Sequence, residues 1–258
     1  LSAFNQAYVI KAKNAFQMTF SNEVKSFMDL KVEDVANLLN VPEATVLKWL
    51  DEGIIPSYSI NQIPRFSRVE IENWMLNQKM HSNEVTPVFE SQDTVYSSKG
   101  WQQFCLFRAI HKGTVLTLDQ SFSKESVIQE VMDKAASYLN LDADVLTELL
   151  LDREKMMPTA LNHGVAVPHT RDFLLKSHHD ILIVVYLNQP MDWGAMDQKP
   201  VHTLFFLFAC DDKHHLNLLA KLAHLSSDEN ALAKILQKPE KTDLLQYIKD
   251  WESGVRQI

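Results

Sequence analysis

The stretch DREKMMPTALNHGVAVPHT, residues 152–170, decides how the larger part of this 258-residue chain folds. Its charged start closes a helix that opens at Asp142, in DADVLTELLLDREK. Pro158 and the Ala160-Leu161-Asn162 turn break the helical period, and GVAVPH then reads as a short strand ending at Pro168. His169 follows at the strand end, where its side chain is expected to face solvent rather than core. An imidazole with an ordinary pKa of about 6.5 is a competent nucleophile toward phosphorus at neutral pH. Such a transfer needs alignment and cations or N–H donors for the equatorial oxygens. Arg153 at the preceding helix end offers a fixed cation with planar donors, and His215, in HHLNLLAKLAHL, is placed to hold the imidazole or share the phosphoryl oxygens.

Outward from this stretch the pattern is layered. WQQFCLFRAIHKG (101–113) is an amphipathic helix closed by Gly113, and VLTLDQ (115–120) is a short strand. SKESVIQEVMDKAASYL (123–139) is a long helix capped by Ser123, with Ser126 where a capping box has an acid. ILIVVYL (181–187) and VHTLFFLFAC (201–210) are continuous apolar runs of strand length, suited to central strands buried on both faces. Helices near 214–226, 228–237 and 240–252 follow. The expected fold of residues 100–258 is therefore an α/β layered domain with a mixed central sheet flanked by helices.

These residues carry a resemblance. Arg153, Glu154, Thr159, Gly164, Val165, Ala166, Val167, Pro168 and His169, then His215, Leu216, Leu219 and Leu222, match the pattern R-E-x-x-x-x-[ST]-x-x-x-x-G-[IV]-A-[IVL]-P-H followed by H-L-x-x-L-x-x-L. The segment resembles the enzyme IIA domains of the fructose, mannitol and nitrogen branch of the bacterial phosphotransferase system. The resemblance implies that His169 accepts a phosphoryl group from a phosphocarrier protein, with His215 beside it and Arg153 anchoring phosphate. The chain departs from the pattern at Thr170, where Gly, Ala or Cys is usual, and at His163, where Asn is common.

Residues 28–80 read differently. KVEDVANLL (31–39) places Val32, Val35, Ala36 and Leu39 at helical spacing, and Asn40-Val41-Pro42 breaks the helix. PEATVLKWLDEG (42–53) is a second helix, expected to bury Val46, Leu47 and Leu50 and to stop at Gly53. IIPSYSINQIPRFSRVEIENWM (54–75) reads as two short strands and a helix capped by Ser67 with Glu70. Val41, Thr45, Val46, Trp49, Leu50, Gly53, Ile55 and Pro56, then Arg65, Phe66, Glu70, Ile71 and Trp74, resemble the excisionase and mercury-resistance-regulator class of winged helix-turn-helix domains. That resemblance implies a second helix entering a major groove with Glu43, Thr45 and Lys48 facing it, and Arg65 and Arg68 on the wing. Five basic groups against eight acidic ones make this a weak electrostatic footprint for DNA. A helix-turn-helix used for protein contact is the competing reading.

The rest of the sequence bounds the problem. With 25 Lys+Arg, 33 Asp+Glu and 46% hydrophobic residues the chain is acidic and globular in composition. Cys105 and Cys210 are too few for a disulfide framework, and the longest apolar run, Leu204 to Cys210, is too short to span a bilayer, so a cytoplasmic protein is expected. His163, His169, His214 and His215 raise zinc, but no HExxH or Cys pair accompanies them, so neither metal nor cofactor is expected. No nucleotide or serine-hydrolase motif is present. Residues 1–27 are a candidate non-native N-terminal segment, 28–80 a winged helix-turn-helix domain, 81–99 a linker and 100–258 the IIA-type domain.

The expected function is that of a nitrogen-type regulatory protein that carries phosphohistidine rather than turning over a substrate. It would couple His169 phosphorylation to DNA binding, with regulatory protein targets and a homodimer through the 100–113 helix as further expected partners. The alternatives are a soluble IIA component passing phosphate to a IIB protein, and a phosphorylation-independent regulator.

Overall fold

The computed structural model describes residues 30–81, 104–119, 123–139, 141–170 and 179–254. The expected segment 1–27 lies outside them, as do all of the expected 81–99 linker but His81 and residues 100–103 of the expected 100–113 helix. The chain forms two compact units, the first ending at Met75.

In the first unit, helix α1 (Val32–Leu39) buries Val35, Ala36 and Leu39 and ends at Asn40, whose φ of 54° is the left-handed conformation the turn needs. Helix α2 (Glu43–Asp51) follows Pro42 and is closed by Glu52 and Gly53. Strands β1 (Tyr58–Ile60) and β2 (Ile63–Arg65) pair antiparallel as the wing. Their two-residue connection, Asn61-Gln62, has positive φ at both positions, the turn whose twist matches a hairpin. Helix α3 (Arg68–His81) carries Trp74, whose ring lies 5.3 Å from that of Trp49 on α2. The expected burial of Leu47 is corrected: it is 49% exposed, and Leu50 is only half-buried. Helix α2 seats one turn at Val46 and uses Trp49 against Trp74 for its second contact, a pair worth about 0.5–1.5 kcal/mol.

The second unit is built on a four-stranded mixed sheet. Its strands are β3 (Val115–Leu118), β4 (Val165–Ala166), β5 (Ile181–Met191) and β6 (Val201–Phe208), in the order β3-β5-β6-β4. Strand β5 is parallel to β3 and antiparallel to β6, and β4 is parallel to β6. Ile183, Val185 and Leu187 of β5 and Leu204, Phe206 and Phe208 of β6 share one face, packed with Val131 and Met132 of α5 (Lys124–Leu139) and Leu146 and Leu150 of α6 (Ala143–Met156). The alternate residues Leu182, Val184, Phe205 and Leu207 are equally buried on the opposite face. Burial on both faces is why these runs read as continuously apolar.

Polar groups set where the helices begin. Ser126 N–H donates to Ser123 Oγ and Ser123 N–H to Ser126 Oγ, both at 3.1 Å, so Ser126 completes the reciprocal cap that an acid usually makes. Asp142 caps α6 through the amides of Asp144 and Val145. Helix α4 (Cys105–Lys112) is capped from elsewhere: Glu252 on α9 (Lys241–Ser253) accepts from the amides of Leu106 and Phe107. The same carboxylate pairs with Lys221 of α7 (Asp212–Ser227), tying three helices together; α8 (Glu229–Leu236) lies between α7 and α9 in sequence. Among the described residues no helix is long and apolar enough to cross a membrane.

Candidate functional site

The Thr159–His169 segment is folded by backbone pairing. Leu161 N–H donates to Val165 O and Val167 N–H to Thr159 O, which returns the chain on itself before β4. At the turn His163 and Gly164 both have positive φ, 64° and 76°. His163 occupies a left-handed position that asparagine tolerates well, and its N–H donates to Asp197 Oδ2 at 2.8 Å. A Cβ on Gly164 would lie 2.5 Å from the His202 ring and 3.0 Å from Pro200 O, so only glycine fits. Burial holds the His202 imidazole below its ordinary pKa.

Upstream, Glu154 organises the approach. Its carboxylate accepts from Thr159 N–H and hydroxyl and pairs with Lys124 Nζ at 2.9 Å, while Trp193 Nε1–H donates to the same hydroxyl. The Arg-Glu-x-x-x-x-Thr spacing thus pins the segment that leads to β4. It also leaves Arg153, one residue earlier, directed toward His169.

Arg153 Nε–H donates to His169 Nε2 at 3.0 Å, and its Nη1 donates to Met157 O at 2.9 Å. His169 Nδ1 lies 2.8 Å from Val167 O. A guanidinium only donates and a carbonyl only accepts, so the pair selects one tautomer: the proton on Nδ1, the lone pair on Nε2 facing Arg153. The His169 backbone pairs beside Leu207 of β6, whose N–H donates to Pro168 O at 2.9 Å. His215, in the first turn of α7, sets its ring edge-on to His169 with centroids 4.9 Å apart.

The three residues read from the sequence as one cluster, Arg153, His169 and His215, are brought together. The expectation that His169 faces solvent is corrected: it is buried, with the guanidinium on its Nε2 and the His215 ring against it. The Val167 and Met157 carbonyls that orient the pair were missed, because backbone groups leave no mark in a residue pattern. Asp180, Cys210 and His214 also lie together and were not read from the sequence.

The remaining candidates sit in the first unit. Thr45 and Lys48 are on α2, Lys48 exposed and 3.9 Å from Glu52. Arg65 ends β2, within the wing. Arg68 is corrected in position: it opens α3 rather than lying on the wing, and its Nε is 2.9 Å from Glu72 Oε1. That i, i+4 pairing is the ordinary result of opposite charges on one helix face.

Family models match both parts of the chain. The family model described as phosphoenolpyruvate-dependent sugar phosphotransferase system, EIIA 2, matches residues 109–251, and a helix-turn-helix domain model matches residues 30–79. A nitrogen regulatory protein of Bradyrhizobium diazoefficiens is 35% identical over 115 residues, covering 44% of this chain and 74% of the relative. One from Escherichia coli is 32% identical over 136 residues, covering 50% and 80%. Among solved structures, the nitrogen regulatory protein IIA-Ntr of Neisseria meningitidis aligns with a TM-score of 0.49 at 24% identity, over 56% of this chain and 98% of that one.

Proposed function

Because the chain belongs, through residues 109–251, to the EIIA 2 family of the phosphoenolpyruvate-dependent sugar phosphotransferase system, we propose that His169 Nε2 accepts a phosphoryl group from a phosphocarrier protein and that this state regulates a DNA-binding helix-turn-helix. The observation that carries the reading is the Arg153–His169–Val167 chain of hydrogen bonds. It supplies a nucleophilic lone pair of defined tautomer with a cation already against it. In the transfer the donor's P–N bond breaks as one to Nε2 forms, and Nδ1 keeps its proton, held by Val167 O. The Arg153 N–H that rests on Nε2 passes to the phosphoryl oxygens, where the charge lies. The protein then acts as a phosphohistidine carrier in the cytoplasm, and its nitrogen-regulatory relatives favour signalling over sugar uptake.

The test is intact mass after incubation with phosphoenolpyruvate, enzyme I and phosphocarrier protein. Gain of one acid-labile, alkali-stable phosphoryl group is expected. No gain beside a working IIA protein overturns the reading.

The DNA-binding half is tested separately. Duplex DNA should bind at about 50 mM salt and weaken with a log–log slope near −0.9 for each phosphate neutralised, so a footprint of two or three cations gives a slope of about −2 to −3. Lys48→Ala and Arg65→Ala should each make that slope shallower by about one. Absence of binding at low salt assigns the helix-turn-helix to protein contact instead.

A further inference from the structure

Three side chains outside the phosphoryl chemistry converge where β5 begins, β6 ends and α7 starts. Cys210 Sγ lies 3.3 Å from His214 Nδ1, and His214 Nδ1 lies 2.7 Å from Asp180 Oδ2. All three donor atoms fall within 4.8 Å of one another, and all three residues are half-buried. We propose that Asp180, Cys210 and His214 bind a divalent transition metal of the Zn(II) class, with water completing a four-coordinate shell.

The donor set points to the ion. One sulfur, one imidazole nitrogen and one carboxylate oxygen suit a borderline-soft dication and are poor for calcium or magnesium, which take oxygen shells. Bond lengths of about 2.3 Å to sulfur and 2.0–2.2 Å to nitrogen and oxygen put tetrahedral donors roughly 3.2–3.6 Å apart. The sulfur–nitrogen separation of 3.3 Å is within about 0.3 Å of the value required, and the nitrogen–oxygen pair has to open from 2.7 Å by roughly 0.6–0.7 Å to admit the ion. The ligands are also oriented from behind. Cys210 N–H donates to Asp180 Oδ1 at 3.0 Å, which turns Oδ2 toward the imidazole. His214 N–H donates to Asp211 Oδ1 at 2.8 Å, fixing the first turn of α7.

A nucleophilic thiol reading fails on geometry. A Cys–His–Asp relay places sulfur and carboxylate within hydrogen-bond reach of opposite ring nitrogens, whereas here Sγ and Asp180 Oδ2 both lie against Nδ1, and Asp211 Oδ2 stands 3.9 Å from Nε2, beyond that reach. On metal binding the thiol proton leaves to solvent, and an imidazole proton on Nδ1 moves to Nε2, which Asp211 Oδ2 faces at 3.9 Å.

The test uses the full chain, reduced and freed of metal, titrated with Co(II). One equivalent should bind with a thiolate-to-cobalt charge-transfer band in the near ultraviolet, and one equivalent of Zn(II) should erase it. Cys210→Ser should lose the band, while Cys105→Ser should keep it. His214→Gln and Asp180→Asn should weaken Zn(II) by more than the roughly 10- to 100-fold typical of losing an outer partner. They should also lose the rise in melting temperature that Zn(II) gives the native chain, which reads the site even if Cys210→Ser folds poorly. Absence of a thiolate band, or a band that survives Cys210→Ser, overturns the assignment.

Discussion

His169→Ala is expected to take up no phosphoryl group, and Arg153→Lys to take it up about 100-fold more slowly than the native chain. The first follows from the tautomer: with Nδ1–H given to Val167 O, Nε2 is the one ring atom of His169 that can form the new bond. The second follows from what a guanidinium does that an ammonium does not. Arg153 holds Met157 O with Nη1 while Nε reaches His169, two contacts from one planar group. A lysine offers a single point charge and gives up one of the two. Removing one preorganised donor from a developing oxyanion typically costs 10²–10³ in rate.

Rapid-quench transfer from a labelled phosphocarrier checks both, with unfolding measured alongside because Arg153 is buried. A purely structural role for Arg153 would lower stability and leave the transfer rate of the folded fraction unchanged. Phosphoryl uptake by His169→Ala would move the acceptor to another histidine. His215 sets its ring edge-on to that of His169, so His215→Ala is the variant that separates the two.

How much of this was legible in the sequence depends on what kind of information each feature uses. The β5 and β6 runs and the amphipathic helices are read from local period, and the two half-patterns around Arg153 and His169 lie only 16 residues apart. Leu47 misled because helical spacing identifies a face without its width, and α2 covers only Val46 fully. The carbonyls of Met157 and Val167 carry no residue signature at all. Asp180, Cys210 and His214 are separated by 30 or more residues at the wide end, and antiparallel pairing of Ile181 with Phe208 is what brings their segments together. Sites assembled by topology stay hidden until the strand order is known.

Gly113→Ala makes the same point as a stability prediction, with an expected loss of about 4 kcal/mol or more. The sequence marks Gly113 as a helix end, a role alanine fills at modest cost, and its φ of −87° is open to any residue. The structure adds a steric reason that no local pattern contains. A Cβ there would stand 1.8 Å from Leu182 O and 2.6 Å from Leu182 C, both backbone atoms of β5. Relief requires the end of α4 to move away from β5, or β3 to part from it. That movement strains the Val184 N–H bond to Thr114 O and the Lys241 Nζ contacts to the His111 and Gly113 carbonyls. Gly254→Ala is the control: its φ is 72° but no described residue lies within 4 Å of the added Cβ, so the expected cost is that of backbone strain, about 1 kcal/mol. Urea unfolding of both variants, with amide exchange at Val184 as the local readout, distinguishes the two sources. Equal losses would mean that the approach of Gly113 to β5 relaxes easily, and that helix-end conformation, the property readable from sequence, sets the requirement for glycine there.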